Sequence, residues 1–211
     1  MNKTLLQINA SLFSDAGAST TLANEFVEKW HARNPGSTVR VRDLSRDPVP
    51  HLTAERFQAF LTKAEERNAA QQAHVAYSDT LVEELKRADV IVLGVPMYNF
   101  DVPSTLKAYF DHIARAGVTF RYTAQGAVGL LGGKKVYIFA TRGGHYLGQP
   151  SDTQSAYLRT FLGFLGINDV EFVYAEGLAI SAESKQGALT QARDEIVRLG
   201  KRADERVPIA A

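Results

Sequence analysis

Cysteine is absent from all 211 residues of the chain. That single absence excludes disulfides, thiolate nucleophiles and thiolate metal sites. The five histidines, His31, His51, His74, His112 and His145, are scattered, and none forms a pair at metal-ligand spacing, so no metal is expected. Long apolar runs are missing as well: nothing approaches the roughly 18 residues of a membrane span. The apolar start, Leu5 to Ile8, is too short for a span or a signal segment. An excess of one charge is also lacking, with 24 basic residues against 23 acidic ones and a formal net charge of +1. That balance argues against nucleic-acid or anionic-membrane binding driven by bulk electrostatics. Cytoplasm is the expected location, in the absence of any address. Redox or group-transfer chemistry must then come from a bound cofactor.

The composition that is present, 45% hydrophobic and 22% charged, is that of a globular protein. The length suits one domain spanning 1–211, with no interdomain linker, repeat or low-complexity tract. Short β-branched runs alternate with helical patterns. Strands are expected at 4–9, 38–43, 89–95, 135–140 and 170–175. The first, third and fourth are almost continuously apolar, as in strands covered on both faces. The second alternates Val39 and Val41 with Arg40 and Arg42, which suits a sheet edge. Leu22, Phe26 and Trp30 mark a helix with Ser19 as its N-cap and Trp30 as packing. Leu106, Tyr109, Phe110 and Ile113 mark another, with Pro103 in its first turn. Further helices are expected at 155–166, ending at Gly166, and at 183–202. The connection from Leu44 to Ala88 is too long for one crossover helix, and holds a helix at about 67–87 with a shorter one before it. This extra piece is a candidate dimer surface or site cover. The βα alternation predicts an α/β fold with a doubly wound, five-stranded parallel sheet in the flavodoxin-like order 2-1-3-4-5.

In such a sheet ligands sit beyond the carboxyl ends of the strands. After the first strand comes "ASLFSDAGAST", whose small and hydroxyl residues lead into a helix N-terminus that can hold a phosphate without a cation, or simply be capped by serine. After the third comes "PMYNF" (96–100), and after the fourth "TRGGHYLG", where Gly143 and Gly144 allow close backbone approach. The predicted strand order brings these three loops to one crevice, with phosphate donors, an aromatic middle and bare backbone. A phosphorylated planar heterocycle fits it, and flavin mononucleotide (FMN) in particular. A dinucleotide fits less well, because no G-x-G-x-x-G follows the first strand. The glycines of "GLLGGKK" precede a strand and read as turn residues.

Four segments, "PMYNF" (96–100), "RAGVTFRYT" (115–123), "TRGG" (141–144) and "YLRTFLGFLGI" (157–167), resemble the FMN-dependent, NADH-using azoreductases of the flavodoxin-like quinone reductase superfamily. The resemblance runs from the first strand to "FVYAEG" (172–177). It implies an FMN-dependent NAD(P)H oxidoreductase that reduces quinones by two electrons and cleaves aromatic azo compounds. The implied course is ping-pong, with hydride passing through flavin N5, in a homodimer. The family's FMN contacts carry over to Ser11, to Gly17, Ala18 and Ser19, to Met97, Tyr98, Asn99 and Phe100 after Pro96, and to Thr141, Arg142, Gly143 and Gly144. Many relatives have a more polar 17–19 turn, and serine is common where Thr141 stands.

Asn99 is the candidate polar anchor for the ring or a loop-capping asparagine, and Phe100 a candidate wall of the substrate slot or a core aromatic. Tyr122 reads equally as slot wall or core aromatic. His145 is either a proton donor or a solvated loop residue. Arg142 faces the anionic N1–O2 edge of the flavin or forms a surface ion pair. The alternative function is a flavodoxin-type electron carrier without small-molecule turnover, which the +1 charge disfavours. A phosphorelay receiver is set aside, since Asn9-Ala10-Ser11 and Pro96-Met97-Tyr98 lack its aspartates.

Overall fold

The computed structural model describes residues 3–205. Residues 1–2 and 206–211 of the expected 1–211 domain lie outside the described part. Seven strands and six α-helices follow one another as β1 (Thr4–Asn9), α1 (Ala18–Arg33), β2 (Thr38–Asp43), α2 (Ala54–Leu61), α3 (Ala69–Arg87), β3 (Val90–Pro96), α4 (Ser104–Ile113), β4 (Phe120–Thr123), β5 (Gly126–Gly129), β6 (Lys135–Thr141), α5 (Thr153–Phe164), β7 (Asp169–Ala175) and α6 (Ala182–Glu205). Five of the strands form one parallel sheet in the order β2-β1-β3-β6-β7. Counting only the five expected strands, this is the order 2-1-3-4-5.

Period-two alternation splits the core into two layers. Leu6, Ile8, Ile91, Leu93 and Ile138 face α3, α4 and α5, meeting Leu85, Leu106, Phe110, Leu158 and Leu162. Leu5, Val92, Phe139 and Val173 face the other way, toward Leu22 and Phe26 of α1 and Ile196 of α6. Because β3 is buried along its whole length, whatever follows it emerges from the middle of the molecule. β2 is one edge and β7 the other; on β2 Val41 is exposed and Arg42 grips Glu84 of α3 through two 2.9 Å hydrogen bonds.

Local chemistry departs from expectation at three places. Gly17, not Ser19, caps α1, and Ser19 lies inside the helix. Pro103 occupies the cap position of α4, one residue before the first turn. The antiparallel hairpin β4–β5 was not expected. Its strands have four residues each, and "GAVG" carries little β-propensity, so tertiary packing decides it. The 45–88 segment does hold two helices, α2 and α3, the second opened by a reciprocal Asn68–Gln71 capping box. Gly166, at φ +89°, ends α5, in the left-handed conformation glycine adopts without penalty.

Candidate active site

The loops after β1, β3 and β6 meet at the carboxyl edge of the sheet. The first begins where Ala10 N–H donates to the Gly94 carbonyl at 2.9 Å, extending the β1–β3 ladder. Ser11 is buried, and its hydroxyl accepts from Phe13 N–H at 3.2 Å. Leu12 and Phe13 then stand exposed, which a loop with nothing to cover it would avoid. A tight turn at Ser14–Ala16 leads into Gly17 and the start of α1. There the hydroxyls of Ser19 and Thr20 are fully buried and lack a hydrogen-bond partner among the described residues. Unpaired buried hydroxyls are costly, and beside the free N–H groups of a helix start they mark a place for an anion.

The second loop leaves β3 with Met97 N–H donating to the Thr141 carbonyl at 2.8 Å. Tyr98 and Asp101 exchange backbone hydrogen bonds of 3.0 and 3.1 Å across a two-residue turn. Both turn residues are left-handed, Asn99 at φ +51° and Phe100 at φ +71°. Left-handed backbone is tolerable for asparagine but costs a phenylalanine on the order of 1–3 kcal/mol. Asn99 and Phe100 are exposed, Met97 and Tyr98 half-buried. The Tyr98 hydroxyl accepts from Leu12 N–H at 3.4 Å, so the first two loops touch.

The third loop continues β6. Arg142 N–H donates to the Ala175 carbonyl, while the carbonyls of Gly143 and Gly144 accept from Ala179 and Gly177 N–H at 3.0 and 2.9 Å. Gly143 closes a small cavity of about 220 Å³ with Met97, Asn99, Phe100 and Tyr146. A larger cleft of about 680 Å³ opens beside it, between Leu12, Met97, Asn99 and the start of α4. Met97 and Asn99 line both. The Phe100 and Tyr146 rings meet edge to face at 5.8 Å.

Three expected residues sit elsewhere. The Arg142 side chain, 1% exposed, neither faces the crevice nor pairs at the surface. Its guanidinium is held inside by Asp152 at 2.8 Å, Glu176 at 3.0 Å and Ser155 Oγ at 2.7 Å, against the Tyr174 ring. Burial acts to raise the Asp152 carboxyl, but hydrogen bonds from Ser155 and Arg142 outweigh it and hold the group below the ordinary carboxylate range. His145 is exposed, in agreement with its solvated-loop alternative, and lines a separate cavity of about 370 Å³ with Glu176, Ser184 and Gln191. Its ring leans on Gly177, where a Cβ would lie 2.9 Å from it. Tyr122 stands 75% exposed on the β4–β5 hairpin, edge-on to Phe120, so it is no core aromatic and lines neither crevice cavity. Thr141 is buried at the end of β6 and meets the second loop through its carbonyl.

Sequence reasoning missed the residues behind these loops. Thr153 donates to the Phe100 carbonyl, and Gln154 donates to the Pro96 carbonyl at 3.0 Å. Glu176 accepts from Tyr146 and Leu147 N–H at 2.9 and 3.0 Å. No spacing rule singles them out, because their partners are backbone groups far away in sequence. Among the described residues no group of three or more metal-ligating side chains gathers, and no helix is long and apolar enough to cross a membrane.

A doubly wound sheet with an anion-ready helix start and an apolar crevice at its switch point defines a flavodoxin-like, nucleotide-binding class of protein. Residues 3–199 match the family described as having a flavodoxin-like fold, and the chain belongs to that family. Over 193 residues, 92% of this chain and 96% of the relative, it is 60% identical to a protein of Cellvibrio japonicus named FMN-dependent NADH:quinone oxidoreductase. A Burkholderia thailandensis protein of the same name is 56% identical over 92% of this chain and 98% of its own length. Among solved structures, an azoreductase from Bacillus anthracis superposes with a TM-score of 0.87 at 26% identity, covering 95% of this chain and 99% of that one. An FMN-dependent NADH-azoreductase from the same species, in complex with FMN, gives 0.83 at 30% identity over 95% and 100%.

Proposed function

We propose that this chain is an FMN-dependent NADH:quinone oxidoreductase that also cleaves aromatic azo compounds, and that it works as a homodimer in the cytoplasm. The observation that carries the reading is the 60% identity over 92% of the chain to a relative of that name. The residues of the crevice fit the cofactor. Unpartnered hydroxyls of Ser19 and Thr20 at the start of α1 suit a phosphate, and the outward turn at Asn99 and Phe100 suits a flat ring.

In this reading the hydroxyls of Ser11 and Ser19 and the N–H groups of Ala18 and Ser19 hold the phosphate end, while Gly17, its own N–H given to the Ser14 carbonyl, leaves room beside Ser11. Met97, Tyr98 and Phe100 give the ring apolar contact and exclude water from one face. The Asn99 carboxamide offers a donor and an acceptor together, and within Thr141 to Gly144 the N–H groups of Gly143 and Gly144 supply backbone donors, the neighbouring carbonyls being bonded elsewhere. Arg142 offers no free donor here, since its N–H and carbonyl bond to Ala175 and Leu178 and its side chain is committed inside. The chemistry that FMN supplies when bound is two-electron hydride exchange, first with NADH and then with a quinone or azo acceptor. Complete cleavage of an azo bond to two amines takes four electrons, hence two such turns.

Exposed Phe57 and Leu61 on α2, with Tyr122, Val128 and Leu130 on and after the hairpin, support a dimer. A monomeric mass by light scattering at micromolar concentration would contradict it. The enzyme reading is tested by steady-state oxidation of NADH with menadione. Turnover well above free FMN, by protein whose absorption spectrum shows bound flavin, is expected. Turnover no faster than free FMN sinks the reading and leaves the electron carrier, which the +1 charge does not favour.

A further inference from the structure

We propose that Thr153 and Gln154, in the first turn of α5, are positioning residues that set the attitude of the Asn99–Phe100 turn against the third loop. The proposal rests on the flavin reading above and assigns to that site a support lying outside its three loops.

Two successive left-handed residues that are not glycine, Asn99 and Phe100, persist only where their surroundings over-determine them. The turn's own hydrogen bonds, Tyr98 with Asp101, fix its shape but not its orientation. Orientation comes from α5. Thr153 Oγ1 donates to the Phe100 carbonyl. The Gln154 side-chain amide is fully buried, and its Nε2 donates to the Pro96 carbonyl at 3.0 Å and the Asp101 carbonyl at 3.4 Å. Two adjacent side chains thus hold carbonyls before, within and after the turn.

The other end of the Gln154 amide is fixed too. Its Oε1 accepts from Arg142 Nε at 3.3 Å, which orients the amide with its nitrogen toward the loop. The same guanidinium binds Glu176 at 3.0 Å, and Glu176 holds Tyr146 N–H and Leu147 N–H. One buried cluster therefore grips both loops that line the small cavity. The edge-to-face contact of Phe100 with Tyr146 is the visible consequence of that registration. Loss of the Gln154 donors would free the turn to tilt, carrying Asn99 and Phe100 with it, while the composition of the flavin bed stays unchanged.

The test is Gln154→Leu, similar in size but without the amide. Each protein is titrated with FMN, and visible circular dichroism of the flavin is recorded at saturation. Loss of the amide's three hydrogen bonds, two to the loop and one from Arg142, predicts a Kd for FMN raised roughly tenfold, with an altered flavin dichroism that excess FMN does not restore. KM for the quinone should rise more than kcat falls. A merely structural residue would lower Tm and leave the dichroism of the saturated protein unchanged. Thr153→Val, at an exposed position, tests the same point without threatening the fold and should shift Kd by about threefold in the same direction. If wild type binds FMN while Gln154→Leu, or failing its folding Thr153→Val, matches it in Kd and dichroism, the positioning role is overturned. A wild type that binds no FMN overturns the flavin reading itself, and the proposal with it.

Discussion

Gly17 lies so close to Ser11 that a Cβ placed on it would fall 2.1 Å from the Ser11 hydroxyl oxygen and 2.5 Å from the Ser11 Cβ. The glycine is needed for space and not for its dihedral angles, since its φ of −74° and ψ of 132° are open to any residue. Gly17→Ala must push Ser11 away from the start of α1. A loss of about 1–3 kcal/mol in unfolding free energy is expected, with FMN affinity reduced at least tenfold. Urea denaturation of the apoprotein and an FMN titration measure the two effects separately. Unchanged affinity would show that the phosphate end does not depend on this contact.

Asn99 combines a special backbone conformation, φ +51°, with a side chain proposed above as a contact of the flavin ring. Two substitutions separate these. Asn99→Gly keeps the left-handed conformation without strain and should leave stability within about 1 kcal/mol of wild type. Its FMN affinity should still fall roughly tenfold for want of the carboxamide. Asn99→Ala should lose affinity and also about 1–2 kcal/mol of stability, because alanine resists φ > 0. Equal FMN binding by wild type and Asn99→Gly would remove the side chain from the site.

The sheet was legible because its evidence is local and redundant. Val90 to Val95 can only be a buried strand, and alternation of strands with helices leaves few topologies. The crevice was legible because "PMYNF" places apolar residues where a loop would carry polar ones. Arg142 was misread because nothing adjacent in sequence announces Asp152 and Glu176 as its partners. Those contacts exist only after β6, α5 and β7 come together. Gln154 and Thr153 are illegible in the sequence for the same reason, since backbone carbonyls carry no sequence signature. Serine favours the cap position, which makes Ser19 the expected cap, yet Gly17 holds that position and the Ser19 hydroxyl is left unpaired.

The β4–β5 hairpin owes its place to a close approach that propensity does not describe. A Cβ on Gly129 would lie 2.0 Å from the Gly166 nitrogen, a backbone atom that cannot step aside. Gly129→Ala should therefore lift the hairpin off the end of α5 and cost about 2–3 kcal/mol, a fall in Tm of roughly 4–12 °C. Gly187→Ala is the matched control. That glycine sits within α6 with nothing inside 4 Å of an added Cβ, and the change should stabilise by about 0.5–1 kcal/mol. Differential scanning calorimetry of both variants checks the sign as well as the size.

His112 gives the fold a dependence on pH away from the crevice. The residue is fully buried, its Nε2 donates to the Pro50 carbonyl at 3.0 Å, and its Nδ1 has no partner. The rings of Phe60 and Tyr77 flank it edge-on. Burial lowers its pKa from the ordinary value, and Arg56 and Arg115 act in the same direction, against the Pro50 hydrogen bond and Asp111. Protonation would create a second buried N–H with no acceptor. Above pH 6.5 the ring is mostly neutral folded or unfolded, and its contribution to stability is fully present. As the pH falls below about 6.5 the unfolded chain takes up a proton that the folded chain refuses, so stability declines until the depressed folded value is reached. Unfolding free energy by urea should therefore drop between pH 7.5 and pH 5.5. His112→Gln, which can still donate to Pro50, should be less stable at pH 7.5 but show a shallower decline over this range. Parallel declines in the two proteins would assign the acid sensitivity to other groups.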